Sequence, residues 1–461
     1  MAILIERASS LFDSAKSKGA DYIDIRYGRV LENFIQIKNN QVVYSSRNVT
    51  SGYGIRVLTD GVLSFISVPR ISAAEKELQR SIIFSNKVTK WKKGNVSLAE
   101  VPASEAEVNF KPKMSLEAIG LEEVESLLVE TYEYINEKLN VDAEIEIDLQ
   151  FKDWMEQFVS SEGTKIIQQY PYTVCVVTGR VRKNNHKIRY FTTFGGLGGI
   201  ETLPLKDKER HALDEFCEII NNIPNAKALK KGRYTALLSE DMAWTLIHEC
   251  LGHSLEGDNV LSGRSFTAGL LGMKVAPSIL SVIDDPYLAT VGYYEYDSEG
   301  IKGKGTLLID EGILTDFLHS RETAAAMDSE PSGNYRAPRF DFLPQVRMSN
   351  IFAEPKDSSD EELLEIVKNG IFVGDGLGGS AEPQTGEYNL NALYGREIKN
   401  GELGRYLIGF QLSGNMLETL SKIIGVGNRL LAKPGSCVKN FQRIYVGSVS
   451  PKIALSEARI S

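Results

Sequence analysis

Apolar and polar residues alternate over several short stretches near the N-terminus, and a period of two is typical of β-strands. Tyr22–Tyr27 is one such stretch. Further stretches flank Asn39-Asn40 and Asp60-Gly61, dipeptides that tolerate positive φ and favour tight hairpin turns. Residues 2–18 instead carry apolar side chains at steps of three to four, which indicates a helix. The pattern predicts a meander of antiparallel strands with one covering helix.

Longer apolar repeats alternate with strand patterns farther along the chain. Steps of three and four predict a helix over Ser115–Leu139, and strand patterns follow over residues 143–193. The second half has many short strand patterns, and a helix that begins after the good N-cap residue Ser239. The predicted fold class is α+β. It consists of an N-terminal helix-plus-antiparallel-sheet region and a strand-rich C-terminal domain that carries the helix with His248.

The length of 461 residues is typical of two to three domains. A basic, polar stretch at Lys227–Gly232 is the preferred boundary. We therefore predict an N-terminal α+β region over residues 1–229 and a C-terminal domain over residues 230–461. A further split of the first region near residues 90–113, where the chain is mixed and charged, stays open.

Composition narrows the classes of function. The formal net charge is −9 and long Lys/Arg tracts are absent, which argues against nucleic-acid binding. No apolar stretch approaches the roughly 20 residues that a bilayer span needs, and the N-terminus lacks the pattern of an export signal. Four widely spaced cysteines do not form a disulfide framework. We expect a cytoplasmic protein with neither nucleic acid nor a membrane as partner.

The densest chemical signal is the segment His248-Glu249-Cys250-Leu251-Gly252-His253. A zinc hydrolase needs nitrogen donors, an open coordination position and a carboxylate near the metal-bound water. On a regular helix, however, residues five apart lie about 140° apart, so two ordinary polar histidines also fit. A one-residue bulge or a helix end would bring both rings to one side, and Gly252 can take unusual conformations. We predict irregular backbone at Leu251-Gly252.

Two histidines leave a third protein ligand to be found. Cys437 offers a thiolate, which is a good zinc ligand, although a lone cysteine is more typical of a small buried residue. Glu256 and Asp258 lie close enough in sequence to be considered, and both also fit as surface residues or loop caps. Cys250 lies about 160° from His248 on a helix and is expected in the core.

The segment Ile247–Asp258 resembles the signature of the TldD/PmbA family, specifically its TldD branch. Other segments similar to family motifs follow in the family's order: 296–300, 318–321, 333–337, 344–350, 376–379, 400–402, 413–415 and the segment around Cys437. The match covers about residues 235–450 closely and the N-terminal half in general layout. Several motifs in order are far more specific than any single one.

The resemblance implies a zinc metallopeptidase that hydrolyses short or unfolded peptides in extended form. It implies that His248, His253 and Cys437 hold Zn²⁺, and that Glu249 is the general base. It also implies a dimer that encloses the active site. The partner would be a PmbA/TldE-type subunit, which shares the fold but lacks the metal motif, or a second copy of this chain.

The chain departs from the family pattern in two places. The family commonly reads C-G-K-x-G-Q around the cysteine, whereas Cys437–Gln442 reads C-V-K-N-F-Q, so both glycines are replaced. In the acidic stretch Asp297–Glu299, Ser298 stands where the family has a second aspartate. The histidine motif does not depart, and its presence favours the TldD branch.

Five residues are predicted to bind substrate: His319, Arg336, Arg347, Gly378 and Gly379. The first three could hold a carboxylate or carbonyl, although arginines that bridge loops have the same pattern. The glycines would let a peptide backbone approach closely, as in strand addition to a sheet edge, and an ordinary loop is the alternative. Other functions stay open: a zinc amidohydrolase acting on a non-peptide amide, a metal-binding but non-catalytic subunit, and a structural zinc site.

Overall fold

The computed structural model describes residues 2–91, 94–183, 186–205 and 210–461. The α-helices are α1 (Ala2–Ser17), α2 (Ala74–Val88), α3 (Leu116–Ile119), α4 (Leu121–Lys138), α5 (Asp214–Asn222), α6 (Glu240–Thr245), α7 (Gly257–Leu261), α8 (Arg321–Met327), α9 (Asp360–Val367) and α10 (Met416–Leu420). Among the helices of these residues, none combines the length and apolar character that crossing a membrane requires.

The first half of the chain forms a seven-stranded sheet in the order β3-β2-β1-β5-β6-β4, with β7 also paired to β6. Its strands are β1 (Tyr22–Lys38), β2 (Gln41–Thr59), β3 (Val62–Val68), β4 (Glu105–Asn109), β5 (Ala143–Ser160), β6 (Lys165–Lys183) and β7 (His186–Leu197). All pairs are antiparallel except β4–β6. The hairpin turns at Asn39-Asn40 and Asp60-Gly61 have the predicted positive φ. This half confirms the predicted α+β class.

The two faces of this sheet differ in polarity. Val124, Leu128 and Ile135 of α4 pack against the apolar face of β1, β5 and β6. Because side chains alternate along a strand, residues 148, 150, 152, 154 and 156 of β5 point to the opposite face, which is largely polar. That polar face lies toward the second half of the chain.

The predicted single helix over Ser115–Leu139 is wrong in one respect, because two helices are present. Gly120 separates α3 from α4 with φ +93° and ψ 148°. Such a conformation is accessible to glycine and breaks the helical hydrogen-bond ladder. The apolar repeat continues across the break, which is why the pattern alone does not reveal it.

The second half is built on a ten-stranded sheet in the order β17-β18-β21-β25-β9-β16-β19-β20-β8, with β22 also paired to β25. Its strands are β8 (Lys227–Ala228), β9 (Gly232–Leu238), β16 (Asn369–Val373), β17 (Gly376–Ala381), β18 (Glu387–Ala392), β19 (Gly395–Lys399), β20 (Glu402–Ile408), β21 (Gln411–Asn415), β22 (Ile423–Val426) and β25 (Ile453–Ile460). The second sheet thus begins near residue 227, and the domain boundary at residues 229/230 stays a prediction.

Three smaller sheets complete this half. They comprise β10 (Val282–Asp284), β11 (Thr306–Asp310), β12 (Ile313–Leu314) and β15 (Ile351–Ala353), then β13 (Tyr335–Arg336) with β14 (Gln345–Val346), and finally β23 (Leu431–Lys439) with β24 (Gln442–Ser450). A large apolar core includes residues of β9, α6 and the β23–β24 hairpin. This core fixes the positions of the helix and the hairpin that together form the site described below.

The acidic stretch Asp297–Glu299 connects the two halves. Arg56 of β2 donates to Glu299 at 2.9 Å and to Asp24 of β1 at 2.9 Å. All three side chains are buried. Asp297 accepts hydrogen bonds from the backbone N–H groups of Glu299, Ile301 and Tyr335. The stretch therefore holds the interface between the two halves.

Candidate metal centre

The metal motif lies on a helix that changes its winding. Ser239 caps α6 by accepting a hydrogen bond from the Met242 N–H. The helix continues as a π-helix over Leu246–Leu251, in which the Gly252 N–H donates to the Ile247 carbonyl, five residues back. A 3₁₀ turn over Gly252–Leu255 follows. The wider turn accommodates the extra residue of the motif, so the predicted irregular backbone at Leu251-Gly252 is confirmed.

Gly252 has a different role from the predicted one. Its φ of −57° and ψ of −45° are ordinary helical values, so no special conformation is required there. A Cβ at this position would instead overlap the Met348 sulfur and lie 3.2 Å from Ile351 Cδ1. Gly252 is thus needed because the helix packs closely against the segment around Met348.

Cys437 reaches the helix from the β23–β24 hairpin. It pairs with Ile444 in the hairpin register and is completely buried. Arg347 donates one hydrogen bond to the Cys437 carbonyl at 2.8 Å and another to the Gln442 carbonyl at 3.3 Å. The buried guanidinium therefore fixes the backbone on both sides of the hairpin turn.

His248, His253 and Cys437 converge at one point. Their possible ligand atoms all lie within 4.8 Å of one another, and Cys437 Sγ is 3.4 Å from His253 Nε2. His248 is fully buried, yet neither ring nitrogen has a hydrogen-bond partner among the described residues. Leaving such groups unsatisfied costs about 1–3 kcal/mol each. Two imidazole nitrogens and a thiolate are donors that zinc prefers, so the three residues fit Zn²⁺.

Charged groups behind His253 orient its ring. His253 Nδ1 lies 3.0 Å from Glu256 Oε2, which leaves Nε2 facing Cys437. Lys439 lies 3.0 Å from Glu256 and 2.7 Å from Asp258. Although burial acts in the opposite direction, Lys439 and His253 lower the pKa of Glu256 to about 2. Glu256 is thus held as a carboxylate and keeps the ring of His253 in one orientation.

Burial and neighbouring charges also shift the pKa values of the Cys437 thiol and the His253 imidazole. Burial by itself would raise the pKa of Cys437, but the rings of His253 and His248 hold it well below its usual value. Burial would lower the pKa of His253, but Glu256 and Cys437 hold it well above its usual value. This electrostatic environment favours the thiolate, which is the form of cysteine that binds metals.

Glu249 is a partly exposed acidic residue beside His253. Its Oε2 lies 3.9 Å from His253 Nε2, and its side chain is 33% exposed. By contrast, Cys250 is buried in the core, as expected. A carboxylate that is both accessible and adjacent to the ligand atoms is suited to proton transfer.

The predicted substrate-binding side chains have partners within the chain. His319 is buried, and its Nδ1 lies 3.1 Å from Thr323 Oγ1. Arg336 donates to the carbonyls of Met348 at 2.6 Å and Tyr445 at 3.0 Å. Arg336 and Arg347 both hydrogen-bond to backbone carbonyls of the hairpin. The contact of all three residues with substrate stays a prediction.

The two predicted glycines lie on β17, the outermost strand at one end of the ten-stranded sheet. Gly378 has φ +74°, and a Cβ there would meet nothing within 4 Å. Gly379 packs against the backbone of Asn389 on β18. The strand starts beside the metal helix, since a Cβ on Gly376 would lie 2.6 Å from Thr245 Oγ1.

The sequence did not reveal that Glu256 and Lys439 support the ring of His253. Glu256 was considered as a ligand or a loop cap, and Lys439 only as a residue that keeps its family position. A carboxylate three residues after a histidine is the signal for Glu256, because one helical turn brings the two side chains together. Lys439 gave no local signal, since its partners are about 180 residues away.

Comparisons with known proteins identify the family of this chain. A profile described as PmbA/TldA metallopeptidase C-terminal domain matches residues 231–461, and one described as PmbA/TldA metallopeptidase domain 1 matches residues 23–82. A protein named Metalloprotease from Methanothermobacter thermautotrophicus is 30% identical over 446 residues, covering 95% of each chain.

Two further proteins are similar to this chain over nearly its whole length. The Zinc metalloprotease TldD homolog of Saccharolobus solfataricus is 24% identical over 97% of this chain and 98% of its own. The crystal structure of TldE from Thermococcus kodakarensis superimposes with a TM-score of 0.80 at 17% identity, covering 99% of this chain and 100% of that one. From these matches and the site itself, the chain belongs to the TldD/PmbA family of metallopeptidases.

Proposed function

We propose that this chain is a zinc-dependent peptidase in which His248, His253 and Cys437 hold Zn²⁺ and Glu249 is the general base. One observation carries the proposal. The three ligand atoms come from a helix and from a hairpin 184 residues away, yet they lie within 4.8 Å of one another. The name of the S. solfataricus relative, a zinc metalloprotease, supports the choice of metal.

The residues around the site supply the remaining chemistry. Bound zinc polarises a carbonyl and lowers the pKa of a water molecule toward neutrality. Glu249 accepts the proton of the attacking water at Oε2 and returns it to the leaving amine. Glu256 keeps His253 in the orientation that presents Nε2. Three protein ligands leave a coordination position open, which is typical of catalytic rather than structural zinc sites.

Strand β17 is suited to hold an extended peptide. It is the last strand in the sheet order, so one row of its backbone groups is free to pair with a substrate. It also begins beside Thr245, three residues before His248. Backbone pairing next to the metal would explain binding of unfolded peptides with little sequence preference.

We further propose a dimer with a PmbA/TldE-type subunit, or with a second copy of this chain. The support is that the chain shares its fold with a protein named TldE. Light scattering of the purified chain, alone and after co-expression with such a subunit, tests the assembly. A chain that stays monomeric under both conditions would contradict it.

The central test replaces Glu249 by Gln. Turnover of an unfolded peptide should fall roughly 10²–10⁴-fold, because general-base catalysis contributes about that much, while elemental analysis should still find one zinc per chain. Glu361→Gln, an exposed change on α9, is the matched control and should keep full activity. Full activity of Glu249→Gln would refute the assignment of the general base.

Metal content and a substrate panel separate the remaining functions. Cys437→Ser should lose zinc and activity together. Far less than one zinc per chain in the purified complex would favour a non-catalytic subunit. Hydrolysis of non-peptide amides but not of peptides would favour an amidohydrolase.

A further inference from the structure

A second cavity lies away from the metal centre, between the polar face of the seven-stranded sheet and the second half of the chain. Its volume is about 700 Å³, within the range of ligand sites. Strands β1, β5 and β6 form one wall, and residues 291–298, 336–342 and 441–445 form the other. Of the described residues that line it, none is a proposed metal ligand.

The hairpin that carries Cys437 also contributes residues to this cavity. Cys437 is paired with Ile444, so their side chains share one face of the hairpin. Arg443 and Tyr445 flank Ile444 on β24, and all three residues line the cavity. Tyr445 also hydrogen-bonds to Gln150 of the sheet.

Three cations from different segments converge at this cavity: Lys152, Arg339 and Arg443. Lys152 lies 4.7 Å above the Tyr445 ring. Burial, together with the charges of Arg443 and Arg339, lowers the pKa of Lys152, although Glu32 opposes the shift.

Most charged groups that line the cavity already have a partner. Arg339 pairs with Asp341 at 2.7 Å, and Arg336 donates to two carbonyls. The four lining carboxylates also lie beside donors or cations: Glu32 near Lys152, Asp148 near Gln36, Glu156 near Arg26 and Asp297 near backbone N–H groups. Arg443 is exposed, and although its backbone belongs to the β23–β24 ladder, its guanidinium makes no hydrogen bond or ion pair with the part of the chain that the structure describes. The charge still available to a ligand is therefore positive.

Apolar side chains stand among the polar ones on the sheet wall beside these cations. Phe34, Trp154, Tyr172 and Val174 present partly exposed side chains on the sheet. At the mouth, Phe441 is fully exposed and has φ +64°. A non-glycine residue in this left-handed region costs about 1–2 kcal/mol, and Phe441 stands where the family motif has glycine. Such a strained, exposed aromatic residue is often retained for a function.

We propose that this cavity binds an apolar carboxylate, such as the C-terminal residue of a peptide or a free aromatic or fatty acid. The carboxylate would be held by Arg443, beside Lys152, which keeps its contact with Glu32, and the apolar group would pack against Phe34 and Trp154. Phe441 would cover the ligand at the mouth. The site is independent of the metal centre, and the proposal does not rest on peptidase activity.

Binding is tested with N-acetyl-phenylalanine and its uncharged amide, followed by tryptophan fluorescence of the full-length protein. The acid should bind at least ten-fold more tightly than the amide, since a charge-assisted hydrogen bond contributes about 1.5–3 kcal/mol. Arg443→Gln should abolish this preference. Arg405→Gln, an exposed arginine of β20, is the matched control and should retain it. Equal affinity for acid and amide would overturn the proposal.

Two tryptophans distinguish this cavity from the metal centre. Trp154 lines the cavity, whereas the Trp244 ring lies 4.9 Å from that of His248. The fluorescence change should disappear in Trp154→Phe and persist in Trp244→Phe. The reverse result would place the ligand at the metal and overturn the proposal. Because no step measures hydrolysis, failure here is distinct from failure of the proposed peptidase function.

A second comparison identifies the source of the carboxylate. N-acetyl-Ala-Ala-Phe and octanoate are titrated in the Glu249→Gln background, which prevents cleavage. Tighter binding of the tripeptide supports a peptide C-terminus, and tighter binding of octanoate supports a free acid. Phe441→Gly should weaken either ligand at least three-fold. No binding of either compound would refute the site.

Discussion

At the residue scale, Glu256 shows how a side chain that does not bind the metal can determine its site. Its carboxylate accepts from His253 on one side and meets Lys439 on the other, both at 3.0 Å. A carboxylate behind a ligating histidine fixes the ring orientation and increases ligand basicity. Glu256 is therefore a positioning residue for His253.

We predict that Glu256→Gln weakens zinc binding about 10–100-fold, as is typical when such a supporting partner is lost. Competition with a chromophoric chelator measures this affinity directly and does not depend on activity. Asp258→Asn is the matched control, because Asp258 contacts Lys439 but has no contact with the His253 ring. Equal loss in both variants would point to a general disturbance of Lys439.

Residue-level prediction from the sequence is possible where the signal is local. The two histidines and Glu249 are neighbours in the chain, so their spacing alone suggested a metal and required a distorted helix. Cys437 could not be derived in this way. Its residue type made it one candidate, but its proximity to His253 depends on a chain path of 184 positions, and the family resemblance was needed to select it.

At the scale of elements, the metal helix depends on close packing against the segment that contains Met348. The absence of a side chain on Gly252 permits this contact. The π-helix places Gly252 toward Met348 and both histidines toward Cys437. The winding of the metal helix and its packing against Met348 therefore both depend on Gly252.

Gly252→Ala should reduce the free energy of unfolding by about 1–3 kcal/mol, the usual cost of overpacking a core, and should also weaken zinc binding. Urea denaturation and chelator competition measure the two effects. Gly94→Ala is the matched control, since a Cβ there would meet nothing within 4 Å, and it should change neither quantity. An unchanged Gly252→Ala variant would mean that Met348 moves aside freely.

Elements with local determinants were predicted well. The hairpins at Asn39-Asn40 and Asp60-Gly61 combine strand alternation with turn residues, and both lie where expected. The break at Gly120 was missed because the apolar repeat runs across it. The parallel pairing of β4 with β6 was also missed, since it joins strands about 60 residues apart and has no local pattern.

At the scale of the whole molecule, buried charges connect the two halves. Arg56 of the first sheet lies between Asp24 and Glu299, and all three are removed from solvent. Alternation along the strands of the first sheet indicates one apolar and one polar face. The sequence could not show that this face is covered by the second half, because exposed and interfacial polar residues have the same pattern.

Arg56→Gln should lower the free energy of unfolding by about 3–5 kcal/mol, because it leaves two buried carboxylates without a counter-charge. Thermal and urea unfolding measure the loss. Arg80→Gln removes an ion pair with Glu77 in which the arginine is 62% exposed, so it should cost less than about 1 kcal/mol. Similar losses in both variants would argue against a special role for the buried network.

The π-helix also relates this metal motif to shorter ones. A π turn holds one residue more than an α turn, so it is equivalent to a single insertion into an ordinary helix. Removing Gly252 would leave the two histidines four residues apart, a spacing that places both on one face of an α-helix. One codon therefore separates the two spacings, and the longer motif can be understood as an insertion within a helix, not as a separate kind of metal site.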